Sequence, residues 1–384
     1  MKITKIEAFA FRLPPRRDFR WAGLIANLGG FVAVRIETEG GFVGFGEATP
    51  LPDWGGDWER RCGETQVTVC HIVNAVLGPA LVGMDATAVT AARRAMDRLV
   101  VGNVYAKCAI DIALHDVWGK IVGLPIYKLL GGAVREAVPV AHMIGLMPED
   151  EALIEGIEAA ADGVRALQVK GGVDAERDIR LAAALRLELG GDMTLRLDAN
   201  QGYGHGKAAA RIVDRLVDAG ISMIEQPTKG LTYMAQVTAS SAVPIIADES
   251  CWNVNDALDI SQARAADSIS IYLAKAGGFV GAAKVACVAD AQLMACDVNG
   301  SIESAIGTAA NVQFALAQPA VTLGAVIAVS APAGTHPCQV AGRYYEDDIL
   351  AEPMAFANGA ILALDAPGLG ITVDEDKLMH YRCD

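Results

Sequence analysis

Three acids close three successive apolar runs in this 384-residue chain: LRLDANQG, SMIEQPT and IIADES place Asp198, Glu225 and Asp248 27 and 23 positions apart. One acid leaving a strand is an ordinary polar terminus. Three in succession, on neighbouring strands, would crowd their charges together and hold protons tightly unless a cation sat between them. Oxygen ligands alone suit hard Mg²⁺, or Mn²⁺ in its place. No His/Cys cluster accompanies them, which argues against zinc. One run earlier, in Ala-Leu-Gln168-Val-Lys170, alternation puts Gln168 and Lys170 on one face. A lysine held inside a barrel beside a dication is desolvated and repelled, and both effects lower its pKa toward that of a general base.

These residues need a frame that brings strand ends together. Short Val/Ile/Leu runs recur at 138–143, 166–170, 194–198, 221–225, 243–248, 268–273, 292–296 and 325–329, their starts 22 to 33 positions apart. Ala-rich helical stretches such as 175–189 and 207–218 fill the gaps. Strand–helix alternation at this spacing calls for a parallel sheet, and eight strands close best as a barrel whose C-terminal strand ends carry the chemistry. Before it, residues 2–12, 31–38 and 42–47 alternate like a meander, and 105–122 reads as a helix with Ala109, Ile112, Ala113, Val117 and Ile121 on one face. Two long loops, 14–30 and 50–57, carry Phe19, Trp21 and Trp54; long loops in compact domains are usually functional.

Hydrophobic residues make up 52% of the chain and aromatics only 6%, so the core must be aliphatic, as in parallel sheets. A net charge of −14 argues against a nucleic-acid partner. Eight scattered cysteines without a CxxC pattern read as reduced thiols. No signal-peptide core opens the sequence and no apolar run reaches about 18 residues, so a cytoplasmic protein without a membrane partner is expected.

The motifs GFGEATP (44–50), YKLLGG (127–132), QVKGG (168–172), LDANQG (197–202), IEQPT (224–228), ADES (247–250), AKAGG (274–278) and IESAIGTAA (302–310) follow in order along nearly the whole chain. Together they resemble the enolase superfamily, in the muconate-lactonizing subgroup of the mandelate racemase / muconate lactonizing enzymes. The resemblance implies an α/β fold: a modified (β/α)₇β TIM-type barrel over residues 131–335, an α+β capping domain over 1–130, and a C-terminal segment, 336–384, packing back on that cap. It implies a homo-oligomer, Mg²⁺ on Asp198, Glu225 and Asp248, and Lys170 removing the α-proton of a small carboxylate to give a metal-stabilised enediolate. Asn200 and Glu249 would orient the metal ligands, and Trp21 and Trp54 would belong to a lid that determines specificity.

Two departures stand out. Where the family pattern has a first lysine on the second strand this chain has Gln168, able to donate to a substrate carboxylate without charge. Where it has a lysine on the sixth strand, ISIYLAKAGG has Tyr272, with Lys275 three residues on. A phenol is a poor base but a competent proton donor, which favours β-elimination, the dehydration of a hydroxy acid, over racemisation. Asp297 and Glu303 could accept from a substrate ammonium or hydroxyl, making a hydroxy amino or imino acid such as a hydroxyproline conceivable. The alternatives are an epimerase or cycloisomerase, or a non-catalytic binding protein on the same scaffold.

Overall fold

The computed structural model describes residues 1–22 and 28–383, so part of the first long loop lies outside the described residues. The chain opens with an antiparallel meander, β1 (Ile3–Arg12), β2 (Gly30–Thr38) and β3 (Val43–Ala48). The helix Val104–Val122 lies across β3. The expected single apolar face understates it: nearly every residue from Tyr105 to Val117 is buried, because the barrel covers its other side. Asp111 Oδ1 there accepts from the backbone of Phe279 at 2.6 Å. The glycines of the GFGE motif permit the close approach of this helix to β3, since a Cβ on Gly46 would stand 1.9 Å from the Ala109 carbonyl oxygen. Gly123, at φ 70°, ends the helix in the left-handed conformation that glycine adopts without penalty.

After a short strand β4 (Ala137–Pro139) come seven parallel strands, hydrogen-bonded in sequence order: β5 (Ala141–Ile144), β6 (Ala166–Lys170), β7 (Thr194–Asp198), β8 (Met223–Glu225), β9 (Ile245–Ala247), β10 (Ser268–Ile271) and β11 (Ala295–Val298). The eighth expected strand is not a regular one. Residues around Ala325 close the barrel instead: Ala325 accepts from Ala141 and donates to Pro139, each at 2.8 Å, and Val326 donates to Val298 at 3.0 Å. The seventh expected strand is displaced toward the C-terminus. Leu293, with φ 56°, turns the chain after the helix Phe279–Ala291, so pairing starts only at Ala295. The sixth ends early, and Tyr272 stands between β10 and the short helix Leu273–Ala276.

The tail touches both parts of the molecule. Strands β12 (Phe356–Ala357) and β13 (Ala360–Leu362) add to β4, with Ile361 opposite Val138. Beyond the helix Glu375–His380, Cys383 donates to Ala10 and Arg12 donates to Tyr381 across β1. Among the described residues no disulfide joins any of the eight cysteines, and no helix is long and apolar enough to cross a membrane.

Glu47 on β3 fastens the cap to the barrel. Its carboxylate accepts from the backbone of Ser304 (2.9 Å) and Gly307 (3.1 Å), from the Thr49 hydroxyl (3.0 Å) and from the Ser304 hydroxyl, at the start of the helix Ala305–Ala317. Burial nevertheless pushes its carboxyl up to about 8, with the Glu303 charge adding to the rise against these hydrogen bonds. Glu303 is itself pushed up to about 7, chiefly by burial. A carboxyl whose folded pKa is raised keeps a proton that the unfolded chain releases. The folded state is therefore favoured at low pH and loses stability as pH rises through the raised value, by about 1.4 kcal/mol per pKa unit. Glu47→Gln is expected to flatten the fall in melting temperature between about pH 5 and 8, measured by calorimetry; an unchanged slope would rule Glu47 out as its source.

Candidate active site

The acids stand where strand alternation and length put them. Asp198 and Glu225 are the last residues of β7 and β8, and Asp248 follows β9 directly. Parallel register sets Lys170 beside Asp198 and Asp198 beside Glu225. All three acids are buried. Each carboxylate is turned to a neighbour: Asp198 Oδ2 to Lys170 Nζ at 2.5 Å, Asp248 Oδ1 to Lys275 Nζ at 2.6 Å, and Glu225 Oε2 to Gln168 Nε2 at 2.8 Å. As these side chains stand, no three acid, His or Cys groups among the described residues are gathered to coordinate an ion jointly. The donor chemistry nonetheless fits a hard divalent cation. Burial, and then the Asp198 charge, holds Glu225 well above the usual carboxylate range, and burial raises Asp248 despite Lys275. With buried Asp297 and Glu249 beside them, these acids outnumber the two lysines and Arg196 packed among them. A cation here would compete with Lys170 and Lys275 for Asp198 and Asp248.

Lys170 and Tyr272 line the same small pocket, about 30 Å³ of internal space, walled by Trp21, Trp54, Met143 and Ile302. The Tyr272 ring lies 5.4 Å from that of Trp54, and Lys275 Nζ lies 4.2 Å from its centre. Lys275 itself is spent on Asp248 and on the Ser270 carbonyl at 2.9 Å, so it is Tyr272 that faces the pocket. Burial, then the charges of Asp248, Glu225 and Asp198, raises the phenol well above its ordinary pKa, which keeps it protonated. The expectation of a lowered Lys170 pKa assumed a dication beside it; without one the balance is the reverse. Burial does pull its pKa down, but the Asp198 and Glu225 charges and the hydrogen bond to Asp198 outweigh burial, and the pKa lies above the usual lysine value.

Three further candidates do not reach the pocket. Gln168 is fully buried and donates to Glu225. Asp297 lies inside the barrel in an ion pair with Arg196, because β11 starts later than expected and carries it inward. Glu303 sits behind the pocket wall, its Oε1 accepting from the Ser301 backbone at 3.0 Å and its Oε2 from Asn311 at 3.3 Å. Asn200 and Glu249 are placed beside the acids: Asn200 Nδ2 donates to Asp198 Oδ2 at 3.2 Å and to Glu249 Oε1 at 3.1 Å. Trp21 and Trp54 do wall the pocket. The sequence reading missed Arg196, which reaches both Asp297 and Glu225, and Asn299, 3.4 Å from Glu225. The signal for Arg196 was available, since it alternates with Asp198 as Gln168 does with Lys170.

Known proteins share this fold. The family described as "Enolase C-terminal domain-like" matches residues 152–377, and "Mandelate racemase / muconate lactonizing enzyme, N-terminal domain" matches residues 6–131. Muconate cycloisomerase 1 of Rhodococcus opacus is 31% identical, over 99% of this chain and 98% of its own. L-Ala-D/L-Glu epimerase of Bacillus subtilis is 33% identical, over 84% of this chain and 87% of its own. The crystal structure of 2-chloromuconate cycloisomerase from Rhodococcus opacus 1CP superposes with a TM-score of 0.90 at 28% identity, covering all of both chains.

Proposed function

This chain belongs to the mandelate racemase / muconate lactonizing enzyme family of the enolase superfamily, an enzyme family of lyases and isomerases, and from that premise we propose that it dehydrates a compact β-hydroxy carboxylate. The observation that carries this reading is Tyr272, a buried phenol with a raised pKa facing the pocket that Lys170 also lines. Inverting a centre by two bases needs an acid/base group on each face of the α-carbon, and Lys170 is the single amine lining the pocket among the described residues. Removal of the proton on one side, with loss of the β-hydroxyl, needs only one base and a proton donor.

Asp198, Glu225 and Asp248 would hold Mg²⁺, or Mn²⁺, which when bound supplies positive charge to the substrate carboxylate as negative charge grows there. Lys170 takes the α-proton. Tyr272 hydrogen-bonds the departing hydroxyl and donates a proton to it. Trp21 and Trp54 keep bulk water from both groups. The small internal space between Trp21, Trp54, Met143 and Ile302 leaves no room for a bulky substrate. Asp297 and Glu303 are engaged elsewhere, and among the described residues the carboxylate lining the pocket is Asp248, which Lys275 holds. The aromatic faces of Trp21, Trp54 and Tyr272 still favour, as a second reading, a cyclic hydroxy imino acid held by cation–π contact.

Incubation with a panel of hydroxy acids and Mg²⁺ in D₂O tests the reading. Loss of water is expected, whereas exchange with inversion and no water loss would make the protein an epimerase. Tyr272→Phe is expected to keep α-proton exchange but to slow water loss by about 10²- to 10³-fold, separable by following deuterium uptake and product in one sample.

A further inference from the structure

A second cavity, about 320 Å³, opens beside the reaction pocket on the other side of Trp21 and Trp54. Glu249, Asn200 and Gln201 line it. Each of the three presents a buried oxygen without a hydrogen-bond partner: Glu249 Oε2, Asn200 Oδ1 and Gln201 Oε1. The Glu249 side chain is 1% exposed, and its other oxygen is held by Asn200, which keeps the carboxylate at the cavity wall. Orphaned buried acceptors are uncommon and call for an occupant. Here all three are oxygens, with Asp53 and Glu59 also on the wall and Lys229 spent on Glu59 at 2.6 Å. Asn200 and Gln201 both have positive φ, 41° and 69°, a conformation held at some cost in residues other than glycine. Asn200 also spans the gap to the acids, donating to Glu249 and to Asp198.

The two approaches to the acids differ in sign. From the reaction pocket a cation meets the Lys170 ammonium, which covers Asp198. From the second cavity, whose lining ammonium, Lys229, is paired with Glu59, it meets the orphaned oxygens of Glu249, Asn200 and Gln201. We propose that Glu249, Asn200 and Gln201 form a docking site in this cavity through which a hard divalent cation enters and leaves the Asp198–Glu225–Asp248 rim. The proposal rests on the reading that this rim binds the cation. Trp21 and Trp54 border both cavities and provide a natural fluorescence reporter.

Rapid mixing of the metal-free full-length protein with Mn²⁺ alone, followed by tryptophan quenching, tests it. In Glu249→Gln, association is expected to slow at least tenfold, with dissociation slowed in the same sense. Gln201→Leu, farther from the acids, should slow both rates in the same sense. Association at the parental rate in both variants would overturn the docking site while leaving the metal reading intact. So would faster dissociation alone, which would make Glu249 a support for the final ligands and not a gate. A parent chain that takes up no Mn²⁺ overturns both readings.

Discussion

Lys170→Ala is expected to cut turnover by about 10³- to 10⁴-fold, the scale of a positioned general base. The geometry predicts a second consequence that a purely structural lysine would not have. In the metal-free chain Lys170 sits 2.5 Å from Asp198 and is the charge that makes this buried acid tolerable. Removing one partner of a buried pair leaves the other uncompensated, at a cost of about 3–5 kcal/mol. The variant should therefore melt lower than the parent without metal. A divalent cation replaces the lost charge and no longer competes with an ammonium for Asp198. Mg²⁺ should then bind the variant more tightly, and raise its melting temperature more, than in the parent. Lys170→Arg separates charge from chemistry: it retains the cation but stays protonated at working pH, so it should be as inactive as the alanine variant without the gain in Mg²⁺ affinity. Retained α-proton exchange in either variant would remove Lys170 as the base.

The rim of acids was legible because it is written in strand ends. Asp198 and Glu225 end their strands and Asp248 follows its own, and parallel register does the rest. Lys170 followed from the same alternation. Where the reading failed, a local turn had shifted the phase. Leu293 takes up residues that an unbroken apolar run would have put in β11, and Asp297 moves from the rim into the barrel. Glu303 could not be placed from its position in the chain, because its partners, Ser301 and Asn311, come from a turn and a helix whose packing is tertiary. The helix Val104–Val122 was found with its end at Gly123, yet its second buried face was invisible, since small residues such as Ala106 and Gly119 look neutral until two layers close on them. The irregular closure at Ala325 escaped for a related reason: a run of apolar residues reads the same whether it pairs along its length or only at its start.

Glu225→Gln should have opposite effects on stability and on metal uptake. Glu225 is fully buried, and burial with the Asp198, Asp248 and Asp297 charges raises its pKa against Arg196. In the folded metal-free chain this carboxyl holds a proton that the unfolded chain gives up, so it destabilises the folded state increasingly as pH rises above the ordinary glutamate value. Glutamine keeps an acceptor for Gln168 and removes the titration, so the metal-free variant should melt at or above the parent at neutral pH, by more at pH 8 than at pH 6. Mg²⁺ reverses the order. At a hundredfold excess over its dissociation constant it should stabilise the parent by about 2.7 kcal/mol, and the stabilisation should grow with pH because protons and the cation compete for the same oxygens. The variant, with one anionic ligand fewer, should lose most of this shift and at least about two orders of magnitude in Mg²⁺ affinity. Calorimetric melting with and without Mg²⁺ at pH 6, 7 and 8 reads all of these quantities. An unchanged Mg²⁺ shift in Glu225→Gln would show that the rim of acids is not where the cation binds. The elimination chemistry built on that rim would then fall, since Lys170 would be left to remove an α-proton with no charge to receive the electrons.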